Sequence, residues 1–126
     1  MLVFGAGFGC TKVMNPVNLD EIVATLMTTA QSASSGRAAR MVVGGRATLM
    51  TQTVIALTAG SRLDDHENPG EATVFVMDGE VEVGAEGQTF TGATGDLIIV
   101  PYVRHHVTAA VDSIILFTAV KLNDEP

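Results

Sequence analysis

Between Asn18 and Gln31 apolar side chains recur at Leu19, Ile22, Val23, Leu26, Met27 and Ala30. That spacing lays a single apolar stripe along an α-helix. Asn18, three residues before Glu21, reads as a capping pair, and Asp20 and Glu21 sit at the positive end of the helix dipole. The helix is predicted over residues 18–31 and stops at Ser32-Ala33-Ser34-Ser35-Gly36, a run of loop formers. A stripe of this kind is a core face or a subunit contact, and it carries no chemistry.

From residue 40 onward the period shortens from helical to two. Thr48–Thr58 is rich in β-branched residues and ends at Ala59-Gly60. Thr73–Met77 ends at Asp78-Gly79, a tight-turn signal. Glu80–Val83 alternates cleanly, with Val81 and Val83 on one face and Glu80 and Glu82 on the other. Turn residues return at Gly84, Gly87, Gly92 and Gly95; Leu97–Val100, Val107–Ala110 and Ser113–Lys121 complete the strands. Short strands punctuated by glycine at this rhythm predict an all-β barrel or sandwich with one N-terminal amphipathic helix.

Composition narrows this further. The chain has 126 residues, 47% of them apolar and 17% charged, which suits one globular domain and excludes a disordered chain. Fourteen acidic against seven basic residues give a formal charge of −7, so a phosphate backbone would be repelled and no nucleic-acid partner is expected. Cys10 is the single cysteine and forms no internal disulfide. No apolar run reaches the roughly 18 residues a membrane span needs, and Met1–Gly9 lack a basic leader, so the default expectation is a cytoplasmic protein with no membrane partner. Gly5, Gly7 and Gly9 lack the spacing of a dinucleotide loop. The expectation is that translation begins at Met14. The chain then divides into an extension without fixed order (residues 1–17), a helix with linker (18–36) and a barrel (37–122).

The three histidines carry the candidate chemistry. His66 lies between two strand signals, and His105-His106 follow Pro101 at the start of another. Imidazoles far apart in sequence yet able to meet in a barrel mouth are a metal or ligand constellation. Asp64, Asp65 and Glu67 around His66 read as a solvated loop, and Arg37, Arg40 and Arg46 as an anion clamp or as partners for the excess acids. Tyr102 follows Pro101 near the mouth and is a candidate ligand donor. Thr11, Ser32, Ser34 and Ser35 have no nearby acid–base partner, so a Ser-His-Asp site is unsupported.

The stretch from Gly60 to Gly79, with His66, and the stretch Gly95-Asp96-Leu97-Ile98-Ile99-Val100-Pro101 followed by a histidine resemble the two motifs of the cupin family. Gly44-Gly45, Gln52–Leu57, Pro69–Val74 and Arg104-His105 extend the likeness to small single-domain cupins, over about residues 45–121. The resemblance implies a jelly-roll-like β-barrel, a homodimer, and three histidines with one glutamate around a divalent metal. Here Asn68 stands at the second histidine position and Ala72 at the glutamate position. Glu71 is the neighbouring carboxylate; alternation points it away from Ala72, and a bulge after Pro69-Gly70 would turn it inward. Generic motif spacing selects His106 as the third histidine, whereas the closer pattern selects His105, which shares a face with Val107 and Ala109.

The resulting metal candidates are His66, His105 and Glu71, and the ligand-binding candidates are Asn68, Tyr102 and His106. Two neutral imidazoles without the carboxylate suit Zn, Fe, Mn or Ni only weakly or not at all. The expected function is a non-catalytic or sensor-like cupin that binds a small molecule. The alternative is a metal-dependent dioxygenase or isomerase with a reduced two-histidine site. The apolar strand 48–58 and the helix stripe are the surfaces expected to be buried in a dimer.

Overall fold

A computed structural model describes residues 14–66, 70–100 and 105–121, with the side chains of residues 65 and 66 excluded. The expectations for residues 1–13, Asn68 and Tyr102 lie outside the described residues. Helix α1 (Leu19–Ser32) comes first, and the Asn18 side chain accepts a hydrogen bond from the Glu21 amide at 3.0 Å, as the capping pair predicts. Among the described residues nine strands follow: β1 (Arg37–Val43), β2 (Met50–Leu57), β3 (Arg62–His66), β4 (Gly70–Asp78), β5 (Glu80–Ala85), β6 (Gln88–Ala93), β7 (Leu97–Val100), β8 (His105–Ala109) and β9 (Ser113–Lys121). Strands β1, β3 and the whole of β6 go beyond the sequence reading. In β6 the glycines at 87 and 92 mask the β-forming run Thr89-Phe90-Thr91 between them.

The strands form two antiparallel sheets, ordered β1-β2-β9-β4-β7 and β3-β8-β5-β6. Their inner faces pack Ile55, Leu57, Val74, Val76, Val81, Val83, Val107 and Ile115 into one core. This is the all-β, jelly-roll-like architecture with one helix. A second core lies outside the five-stranded sheet, where Ile22, Leu26 and Ala30 of α1 cover Val54, Ala56 and Ile114. The helix stripe and the outer face of β2 therefore bury each other within one chain. That corrects the expectation that both were free for a dimer contact. No helix among the described residues is long and apolar enough to cross a membrane.

Two turns fix the geometry at opposite ends. At the β4–β5 turn Gly79 has φ +107°, and a Cβ there would come within 2.7 Å of the Asp112 carbonyl oxygen. Beside it the buried Ser113 hydroxyl donates to the Val111 carbonyl at 2.7 Å and accepts from the Glu80 amide at 3.0 Å. At the other end the β5–β6 connection is Glu86-Gly87, with φ +49° and +79°. Positive φ at both central residues is the type I′ pattern, whose twist matches the flanking strands. It sets Ala85 directly opposite Gln88.

Candidate functional site

The register of the four-stranded sheet assembles one row at the end of the barrel where β3 finishes and β8 begins. His66 is the ladder partner of His105, His105 of Ala85, and Ala85 of Gln88. The first pairing depends on an irregularity in β3. Between Leu63, opposite Val107, and His66, opposite His105, β3 has two residues where β8 has only His106. The extra residue is a β-bulge, and it moves His66 into line with His105.

His105 is 1% exposed and lies on the β8 face that carries Val107 and Ala109 into the core. Its Nε2 atom is itself buried. The ring stacks on Phe117 of the opposite sheet, with centroids 6.4 Å apart and planes at 30°. This contact ties the two sheets together at the histidine end. Of the two alternatives the sequence left open, His105 is therefore the inward residue. His106 is half-buried on the other face, its ring laid over Gly84, where a Cβ would collide with it. As an interior ligand contact, His106 is corrected to a side chain that packs on the outside of the sheet.

The glutamate position behaves as alternation dictates. Ala72 is 4% exposed and points into the core, opposite Val100 on one side and Ala119 on the other. Glu71 is exposed, and β4 runs in unbroken register from Gly70 to Val76, with its irregularity only between Val76 and Asp78. The bulge that would turn Glu71 inward is absent, so Glu71 leaves the set of candidate metal ligands. Asp64 is also exposed, 3.8 Å from the Arg62 guanidinium, a solvent-screened pair of small energetic weight. The exposed Arg37 guanidinium donates to the Arg62 carbonyl at 3.2 Å.

The donor set can now be tested against a metal. Among the described residues no three His, Cys, Asp or Glu gather into one group. The wall that would carry the acid is apolar at Ala72, Val100 and Ala119, and among the described residues no carboxylate there offsets a divalent cation. The described residues do not fit a closed divalent centre.

Gln88 is the residue that sequence reasoning missed. Its signal was the two-residue Glu86-Gly87 turn: it makes residue 88 the partner of residue 85, and residue 85 shares the phase of Val81 and Val83. Gln88 therefore stands on the inner face, in the row of His105.

A family model described as Cupin domain matches residues 53–120, just over half of the chain. A conserved protein of unknown function from Streptococcus pyogenes is 25% identical, with a TM-score of 0.66 over 73% of this chain and 80% of that one. A cupin superfamily protein from Desulfitobacterium hafniense is 12% identical, with a TM-score of 0.69 over 88% and 94%. Salicylate 1,2-dioxygenase from Pseudoaminobacter salicylatoxidans is 19% identical, with a TM-score of 0.68 over 79% of this chain but 31% of that enzyme. At these last two identities the likeness is one of fold. No curated protein matches significantly.

Proposed function

The chain belongs to the cupin domain family, and from that premise we propose that it binds a small molecule inside its barrel without turning it over, as a carrier or sensor domain does. The observation that carries this reading is the pairing of an inward, buried His105 with an apolar Ala72 at the position where a metal-binding relative would offer a carboxylate. In this proposal His105 and its ladder partner His66 form the polar end of the pocket. Asn68 and Tyr102 are further contacts from the adjoining connections, and a divalent metal binds weakly or not at all. Family membership leaves the activity open, because function resides in the site rather than in the fold.

The test is elemental analysis of protein purified without chelator, followed by titration with Zn, Fe, Mn and Ni. The expected result is far less than one metal per chain, with small-molecule binding unaffected by chelator. Metal near one per chain, lost in His66→Ala together with a turnover activity, would replace this reading with the dioxygenase or isomerase alternative.

Homodimerisation, which the resemblance implies, is part of the proposal. The outer face of the five-stranded sheet beyond α1 offers Phe75, Leu97 and Ile99 to it, the last two 61% and 78% exposed. Sedimentation at micromolar concentration should then give twice the mass of one chain, and Ile99→Glu should reduce it to one.

A further inference from the structure

The barrel is open along one flank. β7 is the last strand of one sheet and β6 the last strand of the other, and among the described residues no strand bridges them. Between these edges lies a cavity of about 530 Å³, with Ala85 at its inner end, Phe90 and Ile98 as apolar walls, Leu97 at its lip, and Glu86 and Gln88 as its polar members. Phe90 is the partner of Val83, so its ring belongs to the inner face, yet it is 45% exposed, with no described strand laid over it. The volume lies in the range of small-molecule pockets, roughly 300–1,000 Å³.

We propose that this flank is a ligand subsite, and that the molecule it takes is a neutral, compact aromatic of one or two rings bearing a hydroxyl or amide. The inference rests on the reading that the barrel interior binds a small molecule, and it names that molecule's class and its route. Three observations select the class. The Phe90 ring and the Ile98 side chain form two apolar walls that suit a flat ring. The Gln88 amide, with no hydrogen-bond partner among the described residues, can donate and accept at once, which matches a hydroxyl or amide. Glu86 at the rim, on a chain of formal charge −7, repels a carboxylate. Ala85 connects the flank to the histidine end, because it is the ladder partner of both Gln88 and His105. A ring seated against Phe90 thus reaches past a methyl group toward the buried imidazole.

The experiment uses the full chain, labelled with ¹⁵N and titrated with 2-naphthol and, separately, 2-naphthoate. Naphthol is expected to shift the amides of Ala85, Gln88, Phe90 and Ile98 saturably, with naphthoate at least fivefold weaker. Gln88→Leu, an exposed change that the edge strand tolerates, should weaken naphthol at least fivefold. Glu86→Gln should narrow the gap between the two probes. Shifts confined to His105, Val107 and Phe117, with the flank silent, would overturn the subsite and leave the interior-binding reading intact. An unchanged affinity in Gln88→Leu would overturn the role given to Gln88. Absence of shifts with either probe would overturn the ligand class.

Discussion

Restoring a carboxylate at position 72 tests how the site was assembled. Ala72 is 4% exposed and flanked in register by Val100 and Ala119, so Ala72→Glu places an acid in an apolar wall. An unpaired buried charge costs about 3–5 kcal/mol. At about 4 °C per kcal/mol for a domain near this size, the metal-free variant should melt roughly 12–20 °C below the parent. The next inward position on β4, Val74, is the ladder partner of Phe117, whose ring stacks on His105. The new carboxylate therefore enters the space facing His105 and adds an acid to its imidazole. A divalent ion at a hundred times its dissociation constant returns about 2.7 kcal/mol, or some 10 °C. Thermal unfolding followed by circular dichroism, with and without Ni or Zn, reads both changes. Ala72→Gln, which adds a similar volume without charge, should show no response to metal. A folded Ala72→Glu variant with no more metal response than the parent would refute the placement of residue 72 and His105 on facing walls of one interior.

Three further substitutions probe both ends of the barrel, Ser113 and Gly79 at one and Gly87 at the histidine end. Ser113→Ala removes a hydroxyl that is buried and bonded to the Val111 carbonyl and the Glu80 amide, and should cost about 1–3 kcal/mol in urea unfolding. Two glycines with positive φ should respond differently to alanine. Gly87→Ala, with nothing within 4 Å of the added Cβ, should cost about 1 kcal/mol, the penalty of the left-handed backbone. Gly79→Ala adds a collision with the Asp112 carbonyl to that penalty and should be clearly worse; equal costs would mean that the contact is relieved by a small shift.

Much of this architecture follows from local pattern. The α1 cap, the Leu97–Val100 strand and the alternation of Val81 with Val83 are all legible because each is a short-range rule. Strand phase, read from Val107 and Ala109, favoured His105 without excluding His106, and alternation pointed Glu71 outward, yet a conjectured bulge kept it among the metal candidates. What was not legible depended on pairing between strands. The bulge in β3 exists only relative to β8, and nothing in Asp64-Asp65 announces which residue is surplus. The β6 strand was hidden because its glycines resemble turn residues, although Gly92 packs against Ile98 within the sheet assembly. The covering of α1 by β2 was invisible for a similar reason: two apolar surfaces in a sequence do not reveal that they are each other's partners.

The extra residue in β3 also suggests how such a pocket can be re-addressed over time. Straightening that bulge with no residue removed would bring Asp65 in place of His66 opposite the buried imidazole while Leu63 stayed opposite Val107. Ligand choice in this barrel can therefore drift through the register of one short strand, with the packed interior left untouched.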